Sequence, residues 1–130
     1  MDKTTIRLNT NQPISSTKTI PYIHILSPNH ESKVYRLQDN KLTVGRDKTC
    51  QIIIDDTLVS REHCQLWTNS SGKVVVRDMG STNGTIIDNK KITQDVLSSH
   101  SRLKIGNHII KIEYKDSQEI QREKLQYTSE

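Results

Sequence analysis

The feature that most constrains the fold is a series of short apolar runs, rich in Ile, Val and Leu, separated by turn-forming residues. Their β-branched content and their spacing of roughly ten residues predict strands rather than amphipathic helices. The predicted strands are 22–26, 34–37, 41–44, 51–54, 64–68, 73–77, 85–87, 102–105 and 108–114. Turn residues separate most of them, at 69–72, 78–80, 88–89 and 106–107. The segment 96–100 is expected to form a helical turn at most. This pattern predicts an all-β sandwich or barrel.

Length and composition indicate one domain with polar ends. The chain has 130 residues, of which 32% are hydrophobic and none is Phe. Residues 1–19 carry too little apolar surface to offset the entropy of ordering them, so we predict a flexible leader. Residues 20–115 contain all the predicted strands and form the predicted domain. The segment 116–130 is expected to be a polar tail or linker.

The net charge of +4 leaves the class of partner open, because mild basicity suits nucleic acid, a membrane surface or a smaller anion. A basic β-domain that binds nucleic acid is the alternative function, which Lys90, Lys91, Arg102 and Lys104 favour. Aromatic stacking platforms and a recognition helix are lacking, so direct nucleic-acid binding is not expected. No apolar run reaches about 18 residues and residues 1–11 lack a signal-peptide stretch, so we expect an intracellular protein without membrane contact.

Enzymatic and metal-binding functions find little support in the sequence. Cys50 and Cys64 are too few for a disulfide framework and are predicted to be reduced and buried. With His63 they lack the spacing of a zinc site. Ser60 is not surrounded by a nucleophile elbow, and 80–85 lacks the Gly-Lys-Ser/Thr ending of a P-loop. We therefore expect neither a cofactor nor catalysis.

Polar residues concentrate in three loops between these strands, at 45–46, 60–63 and 80–85. Arg46 follows a predicted strand, so either the scaffold holds it rigidly or it is an ordinary solvated arginine. Ser60 suits a ligand contact or a simple turn, and His63 is expected to be a hydrogen-bonded structural residue. The small residues of 80–85 suit a hairpin loop or a tight turn that presents N–H groups and hydroxyls to an anion.

The ordered set Gly45-Arg46, Ser60-x-x-His63 and Asn83-Gly84 resembles the forkhead-associated (FHA) domain over about residues 20–115. That family is a phosphothreonine-binding β-sandwich of about eleven strands in two twisted, mainly antiparallel sheets. The resemblance implies a non-catalytic module that recruits its parent protein to phosphorylated partners in signalling.

The resemblance also implies a role for each signature position. Arg46 would bind the phosphate as a charged fork, Ser60 through its hydroxyl, Arg61 through its backbone N–H, and Thr82 would add a further contact. The remaining roles are peptide-backbone binding by Asn83, bracing of the Ser60 loop by His63, and tight backbone geometry at Gly45 and Gly84. In this family a small pocket for the threonine methyl disfavours phosphoserine.

Ligand selection in this family falls mainly on the third residue after the phosphothreonine. Some members carry an arginine two residues before the motif serine and favour an acidic residue there, whereas this chain has Leu58. An apolar side chain cannot pair a carboxylate, and Asp55 and Asp56 would repel one. We therefore predict that an aliphatic residue is selected at this ligand position.

The leader, FHA-like core and polar segment also resemble the front of fungal checkpoint or meiotic protein kinases. None of the kinase motifs occurs here, so a kinase domain would lie outside this chain, and the resemblance implies a nuclear location. The expected partners are phosphothreonine-containing proteins. Thr93-Gln94 and Ser117-Gln118 are dipeptides that checkpoint kinases phosphorylate. Phosphorylation-dependent self-association is therefore a further hypothesis.

Overall fold

The computed structural model describes residues 19–38, 40–116 and 118. The predicted flexible leader and polar tail therefore lie almost entirely outside the described residues. The chain divides into two compact units, one of residues 21–113 and one of residues 1–20 and 114–130. Of the second unit the structure describes 19–20, 114–116 and 118.

The described residues form eleven strands. They are β1 Thr19–Leu26, β2 Ser32–Arg36, β3 Leu42–Gly45, β4 Ile52–Ile53, β5 Cys64–Thr68, β6 Val74–Asp78, β7 Thr85–Ile87, β8 Lys90–Ile92, β9 Gln94–Leu97, β10 Leu103–Ile105 and β11 His108–Asp116. One sheet has six strands in the order β2-β1-β11-β10-β7-β8, and the other has five in the order β4-β3-β5-β6-β9. The pairing of β3 with β4 is parallel, whereas β3 with β5, β5 with β6, and β6 with β9 are antiparallel. This is the predicted all-β architecture with two mainly antiparallel sheets.

The sequence prediction was incomplete between β7 and β10. Asp88 and Asn89 both have positive φ, at 49° and 70°, and form the two-residue turn that places Ile87 opposite Lys90. That turn chemistry signals a hairpin, so β8 was foreseeable. The predicted helical turn at 96–100 was wrong, because β9 ends at Leu97 and pairs with β6. Leu97 is fully buried opposite Val74.

The core is aliphatic, as the composition requires. It includes Ile23, Val44, Ile52, Leu66, Val76, Leu103, Ile105 and Ile110, all with no exposed surface. Cys50 and Cys64 are buried and free, as predicted. Burial raises the pKa of both thiols above the ordinary value. Within the described residues, the buried polar side chains are those of His63 and Thr85. Both lie next to the candidate site.

No helix in the described part of the chain is long and apolar enough to cross a membrane.

Candidate phosphopeptide site

Three loops meet beside the ends of the strands that carry them. They are the β3–β4 loop (46–51), the β4–β5 loop (54–63) and the β6–β7 loop (79–84). The N–H of Arg46 donates to the Ser60 carbonyl (3.0 Å), and the N–H of Met79 donates to the His63 carbonyl (2.9 Å). The N–H of Thr82 donates to Ser60 Oγ (3.0 Å). Residues that lie far apart in the sequence are thus fixed against one another by backbone geometry.

His63 is the buried link between two of these loops. Its Nδ1 accepts a hydrogen bond from the Ser60 N–H (3.1 Å), and its Nε2 donates to the Gly84 carbonyl (2.8 Å). These partners define a neutral imidazole with the proton on Nε2. Both ring nitrogens are satisfied in a side chain with no exposed surface. The imidazole therefore contacts the scaffold on both sides.

Gly45 and Gly84 occupy positions where a side chain does not fit. A Cβ on Gly45 would lie 2.1 Å from the carbonyl oxygen of Arg61, which is backbone and cannot move cheaply. Gly84 has φ of +92°, and a Cβ there would lie 2.3 Å from Cε of Lys91. Gly45 thus permits close approach of β3 to the β4–β5 loop, and Gly84 permits the backbone conformation that receives His63.

The guanidinium of Arg46 is fixed through Nε, whereas its two Nη groups are free. Its Nε donates to the carbonyl of Val59 (3.0 Å), which fixes the plane of the guanidinium. Among the described residues, its two Nη groups have no protein partner, and the residue is exposed. Ser60 Oγ accepts from Thr82, so its own O–H remains available to donate. These two groups supply donors without a competing protein acceptor.

Arg61 directs its side chain away from this role. Its Nε and Nη2 donate to Asp47 Oδ2 at 3.2 and 2.8 Å. The hydrogen bond from Arg61 holds the pKa of Asp47 below its usual value, and the same contact raises the pKa of Arg61. The backbone N–H of Arg61 makes no hydrogen bond within the described residues. The backbone N–H of Arg61 is therefore available to a ligand, whereas its Nε and Nη2 are engaged with Asp47.

Asn83 ties the β6–β7 loop to the β4–β5 loop. Its Nδ2 donates to the carbonyl of Leu58 (2.8 Å), so one amide hydrogen is used internally and the carboxamide oxygen stays available. Leu58 itself is 43% exposed, so its side chain is accessible to a ligand at the cavity.

The predicted ligand-contacting residues surround one cavity of about 280 Å³. Its lining consists of Arg46, Thr57, Leu58, Val59, Ser60, Arg61, Thr82 and Asn83. The three predicted support residues, Gly45, His63 and Gly84, are buried and do not line it. The residues predicted to contact a ligand thus line the cavity, whereas the three predicted support residues are buried outside its lining.

Asp78 is a supporting residue that sequence reasoning missed. Its carboxylate accepts from Ser81 Oγ (2.5 Å), Thr85 Oγ1 (2.6 Å) and the N–H groups of Gly80 and Ser81 (3.0 and 3.1 Å). Burial alone would raise the pKa of Asp78, but the hydrogen bonds from Ser81 and Thr85 outweigh burial and lower it. An Asp two residues before Gly80 is the signal of an Asx-turn, which the sequence analysis treated only as a turn.

Asp56 anchors the other side of the cavity. Its Oδ1 accepts from the Leu58 N–H (2.9 Å), and its Oδ2 accepts from the Asn107 N–H (2.9 Å) and from His108 Nδ1 (3.2 Å). Burial opposes these donors, yet they lower the pKa of Asp56. The side chain is 7% exposed and does not line the cavity. Of the two acidic residues predicted to repel a ligand carboxylate, Asp55 is the exposed one.

Replacing Asp78 by alanine should lower the free energy of unfolding by about 2–3 kcal/mol, because its four donors lose a shared, partly buried acceptor. Because the pKa of Asp78 is lowered in the folded state, its stabilisation is complete above the ordinary Asp pKa of about 3.9 and disappears as the pH falls below it. Urea unfolding across this range checks both statements. Asp95→Ala, at an exposed β9 position, is the control. If the difference in free energy of unfolding between wild type and variant stayed constant down to acid pH, the stabilising role assigned to the Asp78 carboxylate would be wrong.

The comparisons with known proteins agree with this geometry. The family model described as FHA domain matches residues 42–106. An oxoglutarate dehydrogenase inhibitor of Corynebacterium diphtheriae is 38% identical over 64 residues, which are 49% of this chain and 44% of that protein. The chain spans half or less of the length of the first curated relatives that it matches.

Two solved structures show the same fold at low identity. The FHA domain of the CT664 protein of Chlamydia trachomatis superposes with a TM-score of 0.67 at 24% identity, over 72% of this chain and 95% of that one. EmbR of Mycobacterium tuberculosis, solved in complex with a low-affinity phosphopeptide, gives a TM-score of 0.63 at 23% identity, over 72% of this chain and 24% of that one. The family match covers half of the sequence and falls on the three loops just described, and this chain belongs to the FHA domain family.

Proposed function

We propose that this domain binds phosphothreonine peptides and thereby recruits its parent protein to phosphorylated partners in signalling. The observation that carries the proposal is the shared cavity. Arg46, Ser60, the Arg61 backbone, Thr82 and Asn83 come from three loops, and all of these residues line one space of about 280 Å³. The phosphopeptide complex of EmbR gives independent support to a ligand of this class for the fold.

The chemistry of the cavity suits a phosphate ester. A phosphothreonine carries about −1.5 to −2 charge and three acceptor oxygens. The free Nη groups of Arg46 can meet two of these oxygens as a bidentate fork. The Ser60 hydroxyl and the Arg61 N–H supply two neutral donors beside it. The scaffold holds all of these donors in place before the ligand arrives. Binding therefore costs little conformational entropy.

The rest of the proposal concerns the peptide around the phosphate. Asn83 has its carboxamide oxygen free to accept from a ligand backbone N–H, while its amide is already fixed to Leu58. An FHA domain is a binding module, so no catalytic step is assigned to these residues. The methyl of threonine adds about 0.8 kcal/mol over serine when it is buried, which favours phosphothreonine by about fourfold.

Calorimetry with three peptides that differ at one residue tests this function. The phosphothreonine peptide should bind, the phosphoserine peptide should bind more weakly, and the unphosphorylated threonine peptide should not bind measurably. Equal binding of the phosphorylated and unphosphorylated peptides would exclude phosphate recognition. A steep salt-dependent affinity for duplex DNA in the same assay would instead favour the nucleic-acid alternative.

We expect the third residue after the phosphothreonine to be selected as aliphatic through Leu58. Partial burial of an Ile or Leu against this side chain yields about 1 kcal/mol, a preference of about fivefold over Asp. An array of phosphothreonine peptides varied only at that position measures it. In Leu58→Arg the preference should shift toward Asp or Glu, because a guanidinium can pair the carboxylate. Enrichment of acidic residues by the wild-type domain would show that another basic group governs selection.

We further propose that the parent protein is a fungal checkpoint or meiotic protein kinase that acts in the nucleus. It is supported by the Thr93-Gln94 dipeptide, since Thr93 is exposed in the short connection between β8 and β9. Ser117 lies outside the described residues. Phosphorylation of Thr93 would also offer a ligand to a second copy. Light scattering of the phosphorylated and unphosphorylated chain measures whether self-association depends on it.

A further inference from the structure

A second and larger concavity adjoins the phosphate cavity. Its volume is about 780 Å³. It is lined by residues of β1, β2 and the turn between them, of β4 and the β4–β5 loop, and of the β10–β11 turn with the first residue of β11, among them Ile25, Glu31, Lys33, Ile53, Asp55 and Thr57. We call it the side groove. None of the residues predicted to contact phosphate lines it.

The side groove and the phosphate cavity are neighbours that share one lining residue. Thr57 lines both. Along the β4–β5 loop, Ser60 and Leu58 face the phosphate cavity, Thr57 is shared, and Asp55 faces the side groove. If Leu58 contacts the third residue after the phosphothreonine, the groove receives the ligand residues that follow it. A peptide would therefore leave the phosphate cavity and enter the groove without a turn around the domain.

Two of the strands that line the side groove, β2 and β4, are sheet edges. β2 is the outermost strand of the six-stranded sheet, and β4 is the outermost strand of the five-stranded sheet. The outer side of an edge strand presents backbone groups that its own sheet does not use. An extended peptide is the ligand shape that can use such groups, because its main chain supplies the matching donors and acceptors.

The lining combines an apolar surface with an excess of negative charge. Ile53 is 45% exposed and gives the groove an accessible apolar side chain. The Asp56 carboxylate already accepts from His108 Nδ1 and from the N–H groups of Asn107 and Leu58, so its oxygens are engaged within the domain. Glu31 and Asp55 are exposed and have no side-chain partner within the described residues, against the one basic residue Lys33. The groove is thus complementary to a segment with aliphatic and basic side chains.

We infer that the side groove binds the part of the phosphorylated partner that follows the third residue after the phosphothreonine, in extended form, with basic and aliphatic residues alternating. This inference rests on the proposed function, because the phosphothreonine sets the register. The contribution of the groove is to lengthen the recognised sequence beyond the phosphate cavity, so that partners with the same phosphothreonine core are distinguished by their following segment.

The test compares two phosphothreonine peptides by calorimetry. The short one ends at an Ile in the third position after the phosphothreonine, and the long one continues with Lys-Leu-Lys-Leu-Lys. We expect the long peptide to bind about fivefold more tightly, since exposed charge pairs and one partly buried side chain each contribute modestly. A long peptide that continues with Glu-Leu-Glu-Leu-Glu should show no gain.

Variants identify the groove as the cause. The readout is the ratio of long-peptide to short-peptide affinity within each variant, so any effect on the phosphate cavity cancels. The double variant Glu31→Gln and Asp55→Asn should remove most of the gain, and Ile53→Thr should reduce it. Asp95→Asn removes an exposed acid on β9, at the opposite edge of the five-stranded sheet from β4, and should keep the full gain.

The outcomes separate this inference from the function on which it rests. Failure of the short peptide to bind overturns the proposed function and the inference with it. Normal binding of the short peptide with no gain from the basic extension overturns the groove alone. A gain that persists in the double variant and in Ile53→Thr also overturns it, because the extension would then bind elsewhere. Amide shifts at Lys33, Ile53 and Asn107 that appear with the long peptide alone would support it.

Discussion

Replacement of Arg46 by alanine should reduce the affinity for a phosphothreonine peptide at least about thirtyfold, while the domain stays folded. The variant removes the two free Nη groups, and loss of a charge-assisted contact to a bound phosphate costs at least about 2 kcal/mol. It also removes the Nε bond to the Val59 carbonyl, which is worth about 1 kcal/mol to the fold. Calorimetry and a thermal melt of the same sample measure both effects.

Two further variants make the Arg46 result specific. Arg46→Lys keeps the charge but loses the planar fork, so its affinity should fall between those of wild type and Arg46→Ala. Arg77→Ala removes an exposed arginine from β6 and should bind normally, which controls for the change in net charge. Near-normal affinity of a well-folded Arg46→Ala would mean that the phosphate binds elsewhere.

The strands were predicted correctly where the local preference of the residues agrees with the element that they form in the fold. Strands β5 and β7 have the predicted limits, because each is a run of strand-forming residues with turn residues at both ends. β9 was missed for the opposite reason. Gln94, Asp95 and Val96 are all exposed, so the strand has no alternating pattern and exists through its pairing with β6. Pairing with a neighbouring strand, and not the local sequence preference, determines the secondary structure of such a segment.

The part of the candidate site that consists of short sequence motifs could be predicted. The residues around the phosphate cavity were identified by their order in the chain and by family resemblance. Asp78 and Asp56 were not, because a carboxylate that accepts several backbone donors looks like any other turn residue in a sequence. The side groove was also not foreseeable. It depends on Asp55 and Thr57 lining one cavity with residues of β2, and no local sequence pattern indicates that arrangement.

The arrangement of the site explains why a buried imidazole is needed beneath it. Ser60 and Thr82 must stay within hydrogen-bonding distance, although they belong to different loops. Side chains on mobile loops would have to be ordered by the ligand at an entropic cost. His63 avoids this cost, because a planar ring with a donor at one end and an acceptor at the other spans the distance from Ser60 to Gly84 in a fixed orientation.

Replacing His63 by alanine should therefore destabilise the whole domain and not the site alone. The variant leaves the buried Gly84 carbonyl and the partly buried Ser60 N–H without their partner, and it leaves a cavity where a fully buried ring had been. Together these effects should lower the free energy of unfolding by about 2–4 kcal/mol, a fall in melting temperature of about 10–20 °C. Thermal melts with and without a phosphothreonine peptide measure it.

The control for this variant is His100→Ala, which removes an exposed imidazole and should leave the melting temperature within about 2 °C. Below its own transition, His63→Ala should still bind the phosphothreonine peptide, but more weakly, since Arg46 remains pinned to Val59 while the Ser60 hydroxyl loses its fixed position. Complete loss of binding with an unchanged melting temperature would show the reverse, that His63 contacts the ligand and that the scaffold does not depend on it. The paired measurement thus distinguishes a brace from a ligand-binding residue.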